Sequence, residues 1–437
     1  MDFVVQPGGS LHGEARVPGD KSISHRSIML GAIAEGVTRV SGFLEGDDAL
    51  ATLAAFRAMG VGIDRPGEGQ VVIEGVGLHG LQAPNAPLDL GNSGTAMRLM
   101  CGLLAGQAFD STLVGDASLT GRPMNRVIDP LAQMGARIEA ATGGRPPLRI
   151  TGGQSLAAMD YSTPMASAQV KSCVLLAGLY SEGRTTVTES APTRDHTERM
   201  LAGFGYAVER DGLTASVTGG GTLQGCDIDV PADISSAAFF LVAASIAPGS
   251  DITLKHVGIN PTRIGVITIL QLMGADITLL NERDVGGEPV ADLRVRHAPL
   301  RGIEIPADQV PLAIDEFPAL FVAAACAEGR TVLRGAAELR VKESDRIAAM
   351  AEGLDTLGVA TEVLEDGIII EGGELGGGEI VTYHDHRIAM AFAVAALRAT
   401  GTIEIRDCGH VATSFPGFAE LAQGLGLHVT ERMGDVA

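Results

Sequence analysis

The sequence predicts an α/β fold made of six similar strand–helix units, and three recurring features support this prediction. At intervals of roughly seventy residues, a polar cluster opens a helix of small apolar residues, a second helix ends in an apolar residue and a glycine, and a strand runs into a glycine-rich turn. Self-similarity at a fixed period indicates a repeat architecture. Six units divide naturally into two domains of three, in agreement with the usual domain count for 437 residues.

The polar clusters are predicted to begin the first helix of each unit. They occupy residues 21–26, 92–98, 167–171, 233–236, 315–316 and 385–387. Free backbone N–H groups at a helix N-terminus bind anions, and the hydroxyl and cationic side chains of these clusters do the same. If the helix starts converge, they surround one anion-binding site.

The second helices and the strands recur in phase with these clusters. The second helices end at Met59-Gly60, Met134-Gly135, Phe204-Gly205, Met273-Gly274, Leu357-Gly358 and Leu425-Gly426. The strands occur at residues 4–5, 71–73, 148–150, 215–217, 293–295 and 368–370. Each unit is therefore predicted to run strand, turn, strand, helix, strand, helix, with glycine and proline at the joints.

The first strands of the chain precede any helix. Residues 3–17 form a strand–glycine–strand piece without a helical partner before Lys21, and we expect this piece to complete the sheet of the last unit. Both chain ends would then belong to one domain. We predict a C-terminal domain of residues 1–19 and 232–437, an N-terminal domain of residues 20–231, and a hinge for domain closure at the two crossovers.

The composition is typical of a soluble globular protein whose core is built mainly from non-aromatic apolar side chains. It has 46% hydrophobic and 19% charged residues and no tryptophan, so the core must consist of Ala, Val, Leu, Ile and Met. The five cysteines lie far apart without a CxxC spacing, which argues against a zinc site and a disulfide framework and favours a reducing cytoplasm. No export signal or membrane-spanning stretch is recognisable, and we expect a cytoplasmic location.

The formal net charge of −21 argues against nucleic-acid and anionic-membrane partners, because those surfaces require cationic patches. Against this background, a set of cations lies in or beside turns and helix starts, where they suit phosphate and carboxylate groups. These are Lys21, Arg26, Arg98, Arg122, Arg126, Lys171, Arg194, Lys342, Arg346 and Arg387. The pattern favours a small polyanionic ligand, although any of these cations could instead pair with a surface carboxylate.

Two short motifs are discounted. Residues 75–80 match GxGxxG after a strand, but prolines follow where a dinucleotide fingerprint requires a helix. His384 and His386 could be two metal ligands, but no third ligand lies at a suitable spacing, and a helix cap explains the cluster more simply. We therefore predict neither a dinucleotide cofactor nor a metal site.

Acid–base chemistry is indicated where carboxylates lie beside cations. Asp315 and Glu316 open one helix, and residues 342–346 place Glu343 near Lys342 and Arg346. A carboxylate flanked by cations stays ionised, and a lysine among other cations has its pKa lowered, so such a pair can exchange protons near neutrality. The alternative is an ordinary helix start with internal ion pairs.

Taken together, these segments resemble the signatures of the EPSP synthase (3-phosphoshikimate 1-carboxyvinyltransferase) family over essentially the whole chain. The matching segments are residues 19–26, 91–98, 122–124, 339–346 and 385–387. The resemblance implies a two-domain inside-out α/β barrel of the enolpyruvyl transferase type, with three βαβαββ repeats in each domain. It also implies small-molecule substrates, shikimate 3-phosphate and phosphoenolpyruvate, and we expect a monomer.

The resemblance also implies roles for individual residues of this chain. Shikimate 3-phosphate would be held by Lys21, Ser22, Arg26, Ser167, Gln169, Arg194, Asp315 and Lys342. Phosphoenolpyruvate would be held by Lys21, Gly94, Arg122, Gln169, Arg346, His386 and Arg387. Asp315, Glu343 and Lys21 are the candidates for proton transfer through a tetrahedral ketal intermediate. No metal or organic cofactor is expected, because arginines can supply the electrostatic stabilisation.

The chain departs from the family pattern in places. Some members carry a lysine near the C-terminal Ser-Phe-Pro that touches phosphoenolpyruvate, whereas residues 411–416 read VATSFP. Residues 167–169 and 122–126 resemble the branch less sensitive to the inhibitor glyphosate, while Gly94 leaves room for that inhibitor. These two indications oppose each other, so no sensitivity is predicted.

Three other functions remain open from the sequence. An enolpyruvyl transferase that acts on UDP-N-acetylglucosamine usually has a loop cysteine, which is missing from residues 115–122. An RNA 3′-phosphate cyclase should have a basic surface, and the net charge of −21 opposes this. A non-catalytic repeat scaffold would use the polar helix starts only as caps, and Lys21→Met would then leave ligand binding unchanged.

Overall fold

The computed structural model describes residues 1–433 and divides the chain into two compact units. The N-terminal unit comprises Gly19–Val230 together with Val285–Gly287. The C-terminal unit comprises Met1–Pro18, Pro231–Asp284 and Glu288–Ala437. The chain thus enters the N-terminal unit after Pro18 and leaves it after Val230.

The chain begins in the C-terminal unit with two short strands, β1 (Asp2–Val5) and β2 (His12–Ala15). The N-terminal unit then contains α1 (Lys21–Ile33), β3 (Glu35–Ser41), α2 (Asp47–Ala58), β4 (Gly62–Gly67), β5 (Gln70–Val76), β6 (Leu88–Asp89), α3 (Gly94–Ala105), β7 (Ser111–Val114), α4 (Ala117–Thr120), α5 (Asn125–Gln133), β8 (Arg137–Ala141), β9 (Arg145–Thr151), β10 (Asp160–Ser162), α6 (Ala168–Gly178), β11 (Arg184–Thr188), α7 (His196–Gly203), β12 (Val208–Asp211), β13 (Thr214–Thr218) and β14 (Asp227–Asp229).

The rest of the chain belongs mainly to the C-terminal unit. It contains α8 (Ile234–Ile246), β15 (Asp251–Gly258), α9 (Gly265–Leu272), β16 (Asp276–Val285), β17 (Glu288–Arg296), α10 (Phe317–Ala325), β18 (Arg330–Leu333), α11 (Arg346–Thr356), β19 (Thr361–Val363), β20 (Ile368–Glu371), β21 (Gly378–Val381), α12 (His386–Ala395), β22 (Ile403–Arg406), α13 (Phe418–Leu425) and β23 (Val429–Arg432). Short 3-10 helices occur at Ala307–Gln309, Pro311–Ala313, Ala337–Val341, Ala396–Arg398 and Cys408–Thr413. Among residues 1–433, every helix is too short or too polar to cross a membrane.

The sheets repeat one topology. The N-terminal unit has three four-stranded sheets in the orders β14-β3-β5-β4, β6-β7-β9-β8 and β10-β11-β13-β12. In each, the first strand is parallel to the second, and the remaining pairs are antiparallel. The predicted α/β fold of six strand–helix units is confirmed.

The C-terminal unit repeats this topology in two of its three sheets, with strands from both ends of the chain, whereas its middle sheet has three antiparallel strands. Its sheets are β16-β17-β15-β2, β18-β20-β19 and β21-β22-β1-β23. We expected residues 3–17 to join the last sheet as one piece, but only β1 does so, between β22 and β23. The second strand, β2, is parallel to β15 in the fourth repeat. The two strands separate because Gly8 and Gly9, both with positive φ, turn the chain between them.

The six polar clusters lie at or just before the N-termini of α1, α3, α6, α8, α10 and α12. Five of these helices are capped by a side chain that accepts a hydrogen bond from a backbone N–H group, and the caps are Asp20, Ser93, Ser167, Asp233 and Asp385. The glycines at the ends of the second helices all have positive φ, from 78° at Gly205 to 120° at Gly426. Glycine adopts this backbone at little cost, which explains why each helix stops there.

Each unit has its own apolar core, and the first helices of its repeats run through it. Every residue of α8 and of α10 is buried, and α1, α3, α6 and α12 are buried over most of their length. Strands such as β3 and β9 alternate between buried and exposed residues, so one face of their sheets meets solvent. Helices inside and sheets outside form the inside-out barrel that the resemblance implied.

Candidate active site

In the N-terminal unit, the start of α1 places a lysine against a buried carboxylate. Asp20 caps the helix by accepting a hydrogen bond from the backbone N–H of Ile23 at 2.9 Å. Lys21 follows at the first helical position, and its Nζ contacts Oδ2 of Asp48 in the first turn of α2. The side chain of Lys21 is 19% exposed and that of Asp48 is 5% exposed. The lysine is therefore partly accessible to solvent, whereas the carboxylate that it contacts is largely buried.

Arg26, one turn into α1, is almost completely buried and is held by protein oxygens. Its Nε donates to Oγ1 of Thr197 at 2.7 Å, and its two terminal nitrogens donate to the Ser22 carbonyl at 3.0 Å and to Oγ of Ser172 at 2.9 Å. The guanidinium therefore connects α1 to α6 and α7. It also fixes the backbone of Ser22, a predicted ligand of shikimate 3-phosphate.

His25 lies between α2 and α3 and is fully buried. Its Nδ1 is 2.8 Å from Oγ1 of Thr52, and its Nε2 is 3.4 Å from Oγ of Ser93. Burial lowers the pKa of His25 well below its ordinary value, and the neighbouring charges of Lys21 and Arg26 lower it further. The imidazole is therefore neutral near pH 7 and links the first two helix starts without adding charge.

The start of α3 gathers two arginines around a glycine. A Cβ atom on Gly94 would lie 3.1 Å from a terminal nitrogen of Arg98 and 3.2 Å from one of Arg122. Arg122 donates to Oδ1 of Asn92 at 2.9 Å, and Arg98 donates to Oε1 of Gln169 at 2.6 Å. Two guanidinium groups beside a helix N-terminus form a site for a carboxylate or a phosphate.

The start of α6 contributes the other predicted polar residues of this unit. Ser167 caps the helix, and Nε2 of Gln169 donates to Oγ1 of Thr95 at 2.9 Å. Gln169 therefore bridges α3 and α6, since its carbonyl oxygen also accepts the hydrogen bond from Arg98. The sequence motif predicts Gln169 as a ligand, and the structure adds that Gln169 orients Arg98.

Lys171, one of the cations that the sequence placed at helix starts, pairs with carboxylates, but these lie inside the protein and not on its surface. It is 1% exposed, and its Nζ lies 2.8 Å from Oε2 of Glu189 and 2.8 Å from Oε1 of Glu198. The other oxygen of Glu189 accepts a hydrogen bond from Thr193, the residue before the half-buried Arg194. Lys171 is thus an internal ion-pair residue, and this cluster anchors the segment that carries Arg194.

In the C-terminal unit, Arg346 is the centre of a carboxylate cluster. It is 1% exposed at the first position of α11. Its Nε donates to Oδ2 of Asp385 at 2.8 Å, and its terminal nitrogens contact Glu343 at 2.6 Å and Asp315 at 3.4 Å. Burial alone would lower the pKa of Arg346, but the adjacent Asp385 and Glu343 raise it above its ordinary value.

The electrostatics of this cluster keep Asp385 ionised. Burial alone would raise the pKa of Asp385, but the charge of Arg346 outweighs that effect and lowers the pKa below its ordinary value. Lys342 lies 3.4 Å from Asp315 on the solvent side of the cluster, where both side chains are partly exposed. The structure therefore brings Asp315, Lys342, Glu343 and Arg346 together in one cluster.

The start of α12 supplies the last two predicted residues. Asp385 caps this helix by accepting a hydrogen bond from the backbone N–H of Arg387 at 2.9 Å. His386 is buried at the first helical position, and Arg387 is half-buried at the second. Within residues 1–433 no carboxylate forms an ion pair with the guanidinium of Arg387, which leaves this cation suited to an anionic ligand.

One polar network near these helix starts was missed by the sequence analysis. Arg263 is 2% exposed and donates to Asp233 at 3.1 Å and to Ser235 at 2.7 Å, while the hydroxyl of Ser235 donates to the buried Glu316. The network joins the starts of α8 and α10. Little in the sequence indicates this network, since Arg263 lies in a loop between a strand and α9 without a recognisable motif.

The chain matches a family model described as EPSP synthase (3-phosphoshikimate 1-carboxyvinyltransferase) over residues 5–421. The chain belongs to the EPSP synthase family. A 3-phosphoshikimate 1-carboxyvinyltransferase of Alkalilimnicola ehrlichii is 69% identical over 431 residues, which cover 98% of this chain and 97% of the relative. The corresponding protein of Methylococcus capsulatus is 67% identical over 427 residues and 98% of each chain. A solved EPSP synthase of Acinetobacter baumannii is 60% identical with a TM-score of 0.89, covering 98% of this chain and 99% of that chain.

These similarities confirm the family that the sequence motifs suggested. Because the match covers nearly the whole of each relative, the chain is an enzyme of the EPSP synthase family with the two-domain α/β fold of its solved members. Four of the five segments that carried the resemblance lie at the starts of α1 and α3 in the N-terminal unit and of α11 and α12 in the C-terminal unit. The fifth, residues 122–124, lies between α4 and α5.

Proposed function

We propose that the chain transfers the enolpyruvyl group of phosphoenolpyruvate to the 5-hydroxyl of shikimate 3-phosphate. The products would be 5-enolpyruvylshikimate 3-phosphate and phosphate, in the pathway to chorismate and aromatic amino acids. Membership of the EPSP synthase family supports this proposal. The observation that carries it in the structure is the pair of guanidinium groups of Arg98 and Arg122 beside Gly94, a site for a small anion in a protein of net charge −21.

For shikimate 3-phosphate, we propose a set of ligands whose chemistry matches a phosphate and ring hydroxyls. They are Lys21, Ser22, Arg26, Ser167, Gln169, Arg194, Asp315 and Lys342. Serine hydroxyls and cations suit the phosphate, and the partly exposed carboxylate of Asp315 can accept a hydrogen bond from a ring hydroxyl. The buried Arg26 would act largely by fixing Ser22, since its Nε and both terminal nitrogens donate to protein oxygens.

For phosphoenolpyruvate, we propose a second set of ligands rich in guanidinium groups. They are Lys21, Gly94, Arg122, Gln169, Arg346, His386 and Arg387. Arginine forks bind carboxylate and phosphate in a bidentate manner, and the substrate carries both. The half-buried Arg122 is held by Asn92 and Ser118, so its orientation is fixed before a ligand arrives.

The proposed reaction proceeds through addition and elimination. The methylene carbon of phosphoenolpyruvate accepts a proton, and the oxygen of the 5-hydroxyl attacks the adjacent carbon as it loses its own proton. The tetrahedral ketal phosphate then releases phosphate, and a methyl proton leaves to form the enol ether. Fixed cations stabilise the negative charge on the carboxylate and the departing phosphate.

The proton transfers require groups that reach solvent and substrate. Asp315, Glu343 and Lys21 are the proposed groups, and each is partly exposed, at 15%, 22% and 19% of the side chain. Arg346 holds the carboxylates of Glu343 and Asp315 in place. Positioned carboxylates of this kind contribute to general acid–base catalysis.

The test is phosphate release from phosphoenolpyruvate with shikimate 3-phosphate as the acceptor, run beside UDP-N-acetylglucosamine. We expect release with shikimate 3-phosphate only and a loss of at least about a hundredfold in Lys21→Met, the range typical of a lost acid–base group. Lys255→Met is the matched control, because Lys255 is a 39% exposed surface lysine paired with Asp292. Release with the sugar nucleotide alone, or equal activity of the two variants, would contradict the proposal.

A further inference from the structure

A second cluster of ligand-type side chains lies outside the proposed substrate-binding residues. His384, Asp407 and His410 each point one nitrogen or oxygen toward the others, and these three atoms all lie within 4.8 Å of one another. Nδ1 of His384 contacts Oδ2 of Asp407, and the rings of His384 and His410 meet edge to face with centroids 5.0 Å apart. Among residues 1–433, no other group of three His, Cys, Asp or Glu residues meets this criterion.

The cluster is built from two backbone segments that are tied together. His384 lies between β21 and α12, whereas Asp407 and His410 lie where β22 passes into the 3-10 helix Cys408–Thr413. Oγ1 of Thr382 donates to the Asp407 carbonyl at 3.0 Å, and the Asp407 N–H donates to Asp2 at 2.9 Å. The first hydrogen bond joins the two segments directly, and the second attaches Asp407 to β1; neither involves the three side chains of the cluster.

The backbone at two of the three positions is unusual. His384 and Asp407 both have φ of 58°, in the left-handed region that residues other than glycine rarely adopt. Backbone in this region is unfavourable for residues other than glycine and tends to occur at functional sites. The two conformations aim an imidazole and a carboxylate at the same point in space.

The donor set matches a transition metal. Two imidazoles and one carboxylate suit divalent ions such as zinc, nickel and cobalt, whereas magnesium and calcium prefer oxygen ligands alone. Atoms that share one zinc ion at about 2.1 Å lie roughly 3.4 Å apart in a tetrahedron. The side chains of His384 and Asp407 are 66% and 46% exposed, so rotation into that geometry meets little packing resistance.

We propose that His384, Asp407 and His410 bind one divalent transition-metal ion, with water in the remaining coordination positions. An ion pair between His384 and Asp407 explains that contact but leaves the convergence of His410 unexplained. The bound metal would join the segment before α12 to the segment after β22 and stabilise the folded chain. This proposal does not depend on the enolpyruvyl transfer proposed above.

The test is isothermal titration of the full chain, without a histidine tag, with zinc sulfate and with magnesium chloride. We expect one zinc ion per chain, no comparable binding of magnesium, and at least about a tenfold loss of zinc affinity in each of His384→Asn, Asp407→Asn and His410→Asn. His12→Asn is the matched control, because His12 is an exposed histidine bonded to Ser10 and outside the cluster.

Cobalt provides a second readout that does not depend on stability. The wild-type chain and the control should develop the visible absorption of cobalt held by nitrogen and oxygen ligands, and the three cluster variants should lose it. Circular dichroism without metal confirms that each variant is folded. Zinc affinity equal in wild type and all three variants, or no zinc binding by the folded wild type at millimolar metal, would overturn the proposal.

Discussion

Removing the ammonium of Lys171 should strongly destabilise the N-terminal unit. Lys171 is 1% exposed and forms ion pairs with two carboxylates, Glu189 and Glu198, each 2.8 Å from its Nζ. These carboxylates are themselves 8% and 2% exposed. Lys171→Met keeps the length and apolar stem of the side chain but leaves two negative charges buried beside each other.

The magnitude follows from the desolvation of those charges. Breaking a buried ion pair by removing one partner costs about 3–5 kcal/mol, because the remaining charge has no water to solvate it. That is a large part of the roughly 5–15 kcal/mol by which most domains are stable. Lys171→Met/Glu198→Gln removes one of the two charges and should recover about 1 kcal/mol or more relative to the single variant.

Tyrosine provides a suitable probe of this unfolding. The chain has four tyrosines and no tryptophan. Tyr161, Tyr180 and Tyr206 lie in the N-terminal unit, whereas Tyr383 is 45% exposed in the C-terminal unit. Near-UV circular dichroism during urea titration therefore reports mainly on the unit that contains Lys171, even if the two units unfold separately.

A surface pair serves as the control. Arg294 forms an exposed ion pair with Asp251 at 2.6 Å, so Arg294→Met removes a cation of the same charge from a solvated site. Its urea midpoint should stay close to that of the wild type. The reasoning is refuted if Lys171→Met also unfolds at the wild-type midpoint, or if adding Glu198→Gln destabilises the chain further.

Three more outcomes are expected. Gly94→Ala should raise KM for phosphoenolpyruvate while the circular dichroism is unchanged, because the new Cβ would lie 3.1 and 3.2 Å from two guanidinium nitrogens. Gly203→Ala is the control and should leave KM unaltered, because a Cβ at that position would have no atom within 4 Å. His25 is buried with a lowered pKa, so below the ordinary pKa of 6.5 the unfolded chain binds a proton at this histidine and the folded chain does not. The free energy of unfolding should therefore fall by about 1.4 kcal/mol for each pH unit below 6.5. His25→Gln should flatten that slope in urea titrations from about pH 7 to 5. Gly426→Ala should lower the melting temperature, because its Cβ would meet a backbone carbonyl oxygen at 2.3 Å with φ of 120°, whereas Gly424→Ala meets no atom and should not.

The repeat pattern was predictable because its determinants are local. Helix caps such as Ser93 and Asp385 act within three residues of their own position, and a glycine such as Gly205 ends a helix through its own backbone. The pairing of β2 with β15 was not predictable in this way. Its four residues are HGEA with no buried position, so the strand carries no hydrophobic pattern that could select a partner.

The candidate site was predictable in its residue types but not in its internal contacts. The sequence placed Lys21, Gly94, Arg346 and Arg387 at helix starts, where the structure has them. It could not distinguish an exposed cation from a buried one. For Lys171, the sequence left ligand binding and ion pairing open, because its partners, Glu189 and Glu198, follow many residues later and carry no motif of their own.

The position of β1 has a consequence for how the protein is made on the ribosome. This strand is synthesised roughly 400 residues before β22 and β23, the two strands with which it pairs. At about 5–20 residues per second, the nascent chain waits on the order of tens of seconds before these partners emerge. Gly19–Val230 can fold during that interval, whereas β1 remains an unpaired apolar strand. A nascent chain of this fold should therefore expose β1 to aggregation or chaperone binding until β22 and β23 have emerged.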